Sequence, residues 1–220
     1  MALVIIMKEY NYYLFDFDGT LCDTTEGIFK SVIYSLECCG ITETDMEKLR
    51  FFVGPPLFES YKTLYNVSDD DAKWLIEKYR ERYRKKAAEE SSVYEGVTEL
   101  LETLKNNGKK IAIASSKPEY FVNEISKYHN IDKYYDFVSA ESFKNNHSSK
   151  KELIERCLEF FGNPPKEEVL MVGDRFYDID GATAVGLDSA GAVYGFGTEE
   201  ELTKAGATHI LFKPCDLINN

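Results

Sequence analysis

The chain lacks an excess of positive charge, because its 26 Lys and Arg residues stand against 38 Asp and Glu residues. The resulting formal net charge is −12 over 220 residues. Nucleic-acid backbones and anionic membranes bind basic surfaces, so we expect neither as the main partner. The same negative charge does not attract an anionic substrate at long range. An anionic substrate would therefore have to be held by local cations and a metal ion.

The chain also lacks a long apolar run. Its opening stretch, Ala2 to Met7, is apolar, but it is much shorter than the roughly 20 residues that a membrane-spanning helix needs. This stretch has no preceding positive charge and no small-residue cleavage site, so we do not interpret it as a signal peptide. We expect an extra strand or a disordered segment there.

The five cysteines lack the spacing of a zinc site, and their odd number does not suggest a disulfide framework. We expect reduced, mostly buried thiols in a cytoplasmic protein. A cysteine-dependent phosphatase would require Cys-x5-Arg, and no arginine stands at that distance after any of the cysteines. Two glycine-rich nucleotide-binding patterns, Gly-x-x-x-x-Gly-Lys-Ser/Thr and Gly-x-Gly-x-x-Gly, are missing as well. These absences disfavour cysteine-based phosphatase chemistry and nucleotide-binding modules.

An acidic turn follows a short apolar stretch near the start of the chain. Tyr12 to Phe17 is aromatic and apolar enough to form a buried strand, and Gly19 allows a sharp turn after it. Asp16 and Asp18 are therefore predicted at the carboxyl edge of a sheet, where ligands bind in open α/β folds. Two carboxylates at this spacing can share a hard cation such as Mg²⁺. The alternative is a solvated Asp-Gly turn without a function.

Helical patterns without strands occupy the part of the chain that follows this turn. The predicted helices cover residues 26–39, 45–51, 57–65 and 69–90. Residues 22–92 are therefore predicted to form a helical cap, inserted between the first two strands of the main sheet. In the last helix, basic residues from Lys78 to Lys86 alternate with glutamates, which is typical of a solvated face. Trp74 and the tyrosines of this helix are expected in the core of the cap.

Strands and helices alternate in the rest of the chain. Strands are predicted at residues 110–116, 137–140, 168–173, 189–193 and 209–212, and helices at residues 97–107, 118–128, 150–161, 179–185 and from 198. This alternation is typical of a doubly wound, mostly parallel sheet. We therefore predict an α/β fold with a Rossmann-like sheet and an inserted α-helical cap domain. Residues 1–21 and 93–220 would form its catalytic core.

Two serines, Ser115 and Ser116, end the strand at residues 110–116. This placement predicts Ser115 at the same sheet edge as Asp16. A hydroxyl group and free backbone amides at that edge can hold phosphoryl oxygens. A serine after a strand is more often only a helix cap, so the feature alone does not establish a site.

Two further features carry ionisable groups. Lys150 begins a predicted helix after a polar loop, and Lys151 stands next to it, so either lysine could face a site at this edge. An apolar strand runs straight into Asp174, and Asp178 follows four residues later. Taken separately, each feature has an alternative interpretation without a function. The lysine would be a solvent-exposed side chain, and the aspartates would belong to a strand-turn-helix in which Asp178 caps the helix.

In their order along the chain, these features resemble the four motifs of the haloacid dehalogenase superfamily, in its aspartate-based, Mg²⁺-dependent phosphatase branch. The matching residues are Asp16, Asp18, Gly19 and Thr20 in the first motif, Ser115 in the second, Lys150 in the third, and Gly173, Asp174 and Asp178 in the fourth. The Lys-Pro pair after the second motif and the Gly-Pro-Pro turn at residues 54–56 are similar to the phosphoglycolate-phosphatase-like group.

The resemblance implies a role for each of these residues. Asp16 would be the nucleophile that forms an aspartyl-phosphate intermediate, and Asp18 would protonate the leaving oxygen and then activate water. The implied Mg²⁺ ligands are Asp16, the main-chain carbonyl of Asp18, Asp174 and, through water or indirect support, Asp178. Phosphate contacts are implied for Gly19, Ser115, Ser116 and Lys150, and substrate contacts for Gly54 and Pro55.

The resulting prediction is a Mg²⁺-dependent phosphatase, monomeric or homodimeric, that acts on a small phosphorylated metabolite. Phosphoglycolate, a sugar phosphate or a nucleotide would fit. A phosphomutase or another phosphotransferase on the same core stays open. A receiver-type phospho-signalling module, from a different class of protein, also gathers acidic residues, Ser/Thr and Lys around Mg²⁺. Such a module has no helical insertion of this size after its first strand.

Overall fold

The computed structural model describes residues 8–142 and 148–218. These residues fall into two compact units, one formed by the described residues up to Asp23 together with those from Val93 onward, the other by Thr24–Ser92. The apolar opening stretch, for which we predicted a strand or a disordered start, lies outside the described residues. The predicted domain bounds and the assignment of the helical unit as a cap stay predictions.

Nine helices and eight strands are described in the two ranges, with two additional 3₁₀ turns at Lys166–Glu168 and Pro214–Leu217. The strands are β1 Tyr12–Phe15, β2 Cys22–Asp23, β3 Ser92–Val93, β4 Lys110–Pro118, β5 Phe137–Glu141, β6 Val169–Gly173, β7 Asp188–Ala192 and β8 His209–Leu211. The helices are α1 Thr25–Glu37, α2 Met46–Arg50, α3 Leu57–Tyr65, α4 Asp69–Lys86, α5 Val97–Asn106, α6 Glu119–Tyr128, α7 Lys150–Phe160, α8 Phe176–Val185 and α9 Glu199–Lys204.

A six-stranded sheet forms the centre of the larger unit, in the order β5-β4-β1-β6-β7-β8. Every neighbouring pair is parallel, and helices connect the strands. A parallel sheet with helices on its faces needs strands that are apolar on both sides. The strand β6 fulfils this, since all of its residues are buried. The predicted α/β class with a mostly parallel sheet is confirmed.

The strand β1 lies between β4 and β6, with Phe15 in register with Ile113 on one side and Val172 on the other. Leu14 is completely buried in a cluster with residues of α7 and α8, among them Leu153 and Ala182. The first predicted strand is therefore a central element of the core.

The smaller unit, Thr24–Ser92, is helical. Helix α4 begins where the side chain of Ser68 accepts a hydrogen bond from the backbone amide of Asp71, so Ser68 is the N-cap residue of the helix. It ends at Lys86 rather than near Glu90, and Glu90 instead bonds the guanidinium of Arg82 through two contacts of 2.7 Å. In the two described ranges, no helix is both long and apolar enough to cross a membrane.

Two expectations for helix α4 were wrong in part. Tyr79 and Tyr83 are buried, but Trp74 is 43% exposed. The buried positions recur every four residues from Leu75, and Trp74 stands one position before that series, so it lies off the buried face. The basic run is not uniformly solvated either, because Arg82 is partly buried in its ion pair with Glu90.

The cysteines are free, but they are less buried than predicted. Cys22 and Cys157 are buried, whereas Cys38 and Cys39 are exposed and Cys215 is intermediate. The exposed pair follows the last residue of α1, where the chain leaves the packed helix. Their exposure follows from this position at the helix end.

We predict that Leu14→Ala lowers the free energy of unfolding by about 2–5 kcal/mol, because the truncation leaves a cavity beside α7 and α8. Urea denaturation followed by circular dichroism measures the change. Tyr128→Ala is the control, since Tyr128 is 56% exposed and a surface change should stay within about 0.5 kcal/mol. Equal losses in the two variants would contradict the central position of β1.

Candidate functional site

Three carboxylates meet at the carboxyl edge of the sheet. Asp16 follows β1, Asp174 follows β6, and Asp178 lies in the first turn of α8. Because β1 and β6 are adjacent parallel strands, their ends bring these side chains to the same edge. One oxygen from each of the three lies within 4.8 Å of the others. The structure thus assembles the carboxylates that the sequence predicted, although α8 begins at Phe176, before Asp178 rather than after it.

Lys150 is the cation of this cluster. Its Nζ lies 3.1 Å from Oδ1 of Asp16 and 2.7 Å from Oδ1 of Asp178, and it donates a hydrogen bond to the carbonyl of Ala114. The neighbouring Lys151 is half exposed and pairs with Glu155. Of the two candidate lysines, the structure therefore places Lys150 beside Asp16.

The start of helix α7 determines which lysine turns inward. Ser149 occupies the N-cap and forms a capping box with Glu152, in which each side chain accepts a hydrogen bond from the other residue's backbone. Lys150 is consequently the first helical residue. Its side chain is 7% exposed, so the ammonium is held inside the site.

The cluster carries more negative than positive charge in a buried position. Burial, followed by the neighbouring carboxylates of Asp178 and Asp16, raises the pKa of Asp174 well above its ordinary value. Burial also raises the pKa of Asp178, although Lys150 opposes the shift. Burial acts to lower the pKa of Lys150, but Asp16 and Asp178 outweigh it and leave that pKa above its ordinary value. A divalent cation bound by oxygen ligands would balance this charge.

Asp174 is fixed by donors from two loops. The hydroxyl of Thr20 donates to Oδ1 at 3.1 Å, and the backbone amide of Phe196 donates to Oδ2 at 2.9 Å. Gly19, with φ +83°, packs so closely that a Cβ there would lie 2.2 Å from Oδ2 of Asp174. Sequence reasoning missed the contributions of Thr20 and Phe196 to this site, and no local pattern marks a distant backbone amide as a partner.

Asp18 belongs to a second, separate ion pair. Both of its carboxylate oxygens lie 2.9 Å from Nζ of Lys117. Ser115 is 2% exposed and accepts a hydrogen bond from the backbone amide of Lys117, whereas Ser116 is exposed. Sequence reasoning assigned no role to Lys117. No local pattern marked it, because the irregularity of β4 after Ser115 breaks the period-two alternation of the strand.

The remaining predicted residues lie in the smaller unit. Gly54 and Pro55 stand between α2 and α3, and Gly54 has φ +101°. Such a backbone conformation suits glycine and is consistent with a sharp turn. Their contact with a substrate stays a prediction.

Comparisons with known proteins agree with this geometry. A family model described as "Haloacid dehalogenase-like hydrolase" matches residues 13–192. A 5'-nucleotidase of Pseudomonas aeruginosa is 38% identical over 201 residues, which cover 91% of this chain and 90% of that protein. The pyrophosphatase PpaX of Halalkalibacterium halodurans is 29% identical over 211 residues, or 96% of each chain. The crystal structure of a predicted phosphatase from Clostridium acetobutylicum superposes with a TM-score of 0.86 at 40% identity, covering 96% of this chain and 97% of that one.

We predict that Gly19→Ala destabilises the protein more than Gly108→Ala. Both glycines have positive φ, +83° and +73°, but a Cβ at Gly108 meets no atom within 4 Å. Gly108→Ala should cost only the strain of a left-handed backbone, about 1–2 kcal/mol. Gly19→Ala must in addition displace Asp174. Urea denaturation compares the two, and equal losses would contradict the close packing of Gly19 on Asp174.

Proposed function

Because the chain belongs to the haloacid dehalogenase-like hydrolase family and is a phosphatase, we propose that it hydrolyses a small phosphate monoester with Mg²⁺ through an aspartyl-phosphate intermediate. One observation carries this proposal: Asp16, Asp174 and Asp178 share one edge of the sheet, and Lys150 contacts two of them. Hydrolysis of phosphate monoesters is very slow without a catalyst. A site for it must neutralise charge and position a nucleophile.

The residues at the edge fit a magnesium ion. Mg²⁺ prefers oxygen ligands and retains several waters. Three carboxylates, two of them buried, lie together with one lysine, and their excess negative charge supplies the attraction. Asp16, Asp174 and the main-chain carbonyl of Asp18 would hold the ion, with Asp178 supporting it. When bound, Mg²⁺ would neutralise part of the charge on the phosphoryl group.

We assign the role of nucleophile to Asp16. Its Oδ1 accepts a hydrogen bond of 2.7 Å from the amide of Phe17 and lies near Lys150. We therefore assign the attack on phosphorus to Oδ2. In the first step, a bond forms between this oxygen and phosphorus, the bond from phosphorus to the leaving oxygen breaks, and Asp18 gives the leaving oxygen its proton.

The second step restores the enzyme. Asp18 takes a proton from a water molecule, the water oxygen attacks phosphorus, and the bond between phosphorus and Asp16 breaks to release inorganic phosphate. The hydroxyl of Ser115 and the ammonium of Lys150 would hold the phosphoryl oxygens during both steps. Gly19 and the exposed Ser116 would contribute contacts at the same edge.

The substrate class is a small phosphorylated metabolite. The names of the relatives, 5'-nucleotidase and pyrophosphatase, support a compact phosphate compound rather than a macromolecule. We propose that residues 22–92 act as the cap that selects it, with Gly54 and Pro55 in contact with the substrate. A screen of phosphoglycolate, sugar phosphates and nucleoside monophosphates would identify the compound.

Two alternatives to a phosphatase are a phosphotransferase, which product analysis would distinguish, and a receiver-type module, which differs in the topology of its chain. A phosphomutase or phosphotransferase would deliver the phosphoryl group to a sugar or another acceptor instead of water. A receiver-type signalling module is disfavoured by the helical unit at Thr24–Ser92, since such a module has no insertion of this size after its first strand.

We predict that the protein releases phosphate from p-nitrophenyl phosphate only with Mg²⁺, and that Asp16→Asn abolishes the activity because the amide is a poor nucleophile. A colorimetric assay measures turnover with Mg²⁺ and with excess chelator. Asp180→Asn is the control, since Asp180 is exposed on α8 and should retain activity. Full activity in Asp16→Asn, or in excess chelator, would overturn the mechanism.

We further predict that Lys150→Met lowers kcat by about 10²–10³-fold, as expected when a positioned electrostatic donor is lost. Lys151→Met is the matched control, because Lys151 points away from the carboxylates and pairs with Glu155. Steady-state kinetics on the same aryl phosphate compares the two variants. A large loss in Lys151→Met with little loss in Lys150→Met would reverse the assignment.

A further inference from the structure

Lys117 is a buried cation for which the steps above give no role. Its side chain is 4% exposed, and its Nζ lies 2.9 Å from each oxygen of the Asp18 carboxylate, which is itself 20% exposed. Taking an ammonium out of water is unfavourable unless a partner compensates its charge. This lysine is therefore held in place by Asp18, and Asp18 in turn by the lysine.

A local irregularity of β4 brings Lys117 to Asp18. The strand pairs Ser115 with Ala140 and then Pro118 with Glu141, so Ser116 and Lys117 are additional residues on the β4 side. Bulges of this kind redirect side chains at the ends of strands. The amide of Lys117 also donates to the hydroxyl of Ser115 at 3.3 Å. One residue thus contacts both Ser115, through its backbone, and Asp18, through its side chain.

The contact with Lys117 engages both oxygens of the Asp18 carboxylate. A carboxylate has about four lone-pair sites, two on each oxygen, and Nζ of Lys117 lies within hydrogen-bond distance of both oxygens. The contact therefore restricts the rotation of the Asp18 side chain.

We propose that Lys117 is the positioning residue of Asp18: it fixes the orientation of the carboxylate that transfers protons to the leaving oxygen and from water. The inference rests on the proposed function, in which Asp18 is the acid and base. Lys117 acts through Asp18 and makes no bond to the phosphoryl group. Its loss should therefore affect the step in which Asp18 transfers a proton.

The first test varies the leaving group. Lys117→Met should lower kcat for an alkyl phosphate such as glycerol phosphate by about 10²-fold, the size expected when a reacting group is misplaced by about 1 Å. The loss should be smaller for p-nitrophenyl phosphate, whose leaving group needs little protonation, and KM should change little. Lys117→Arg should restore part of the activity. A change mainly in KM would indicate that Lys117 binds the substrate and would overturn the inference.

The second test is a double-mutant cycle with Asp18→Asn. If Lys117 acts through Asp18, adding Lys117→Met to Asp18→Asn should cause little further loss, because interacting residues are not additive. Additive losses would show an independent structural role and would contradict the inference. Lys105→Met is the matched control, since Lys105 makes an ion pair of 2.6 Å with Asp136 away from these residues and should leave kcat unchanged.

The outcomes separate this inference from the proposed function. Near-normal activity with the alkyl phosphate in both Asp16→Asn and Asp18→Asn would refute the proposed mechanism itself. A strong loss in Asp18→Asn with no leaving-group dependence in Lys117→Met would refute only the role of Lys117. Circular dichroism and urea denaturation check that each variant is folded, and Lys117→Arg supplies the leaving-group comparison if Lys117→Met is not.

Discussion

The crowding of three carboxylates, two of them buried, at one edge of the sheet is the constraint on which the site of the larger unit depends. Asp16, Asp174 and Asp178 repel one another in a poorly solvated position, and the raised pKa values of Asp174 and Asp178 reflect this. Lys150 offsets part of the repulsion. This repulsion destabilises the folded state. A divalent cation that bound the three carboxylates would offset the repulsion and stabilise the fold.

Much of the surrounding structure serves to hold these groups in place. The hydroxyl of Thr20 and the amide of Phe196 occupy the two oxygens of Asp174. Gly19 allows the acidic turn to approach that carboxylate more closely than any side chain would permit. The capping box at Ser149 determines that Lys150 is the first residue of its helix. A site assembled in this way is preorganised, because its donors need little rearrangement when charge develops.

The two aspartates of the acidic turn are neighbours in sequence but have different cations. Asp16 lies beside Lys150, which comes from α7, and Asp18 lies beside Lys117, which comes from β4. The strand ends at Phe15, and the turn that follows separates the two side chains. This separation supports different roles for the two carboxylates in the proposed reaction, one as nucleophile and the other as acid and base.

The sequence by itself determined the α/β class and a buried first strand that ends at an acidic turn, because periodicity and the strand-to-turn junctions are local properties. The tertiary structure alone decided the rest. The choice between Lys150 and Lys151 depended on the register of α7. The exposure of Trp74 depended on which face of α4 is buried. The partners of Asp18 and Asp174 depended on contacts between segments that are distant in the sequence. Such contacts arise only when the sheet edge is assembled, and no local pattern encodes the distance between Lys117 and Asp18.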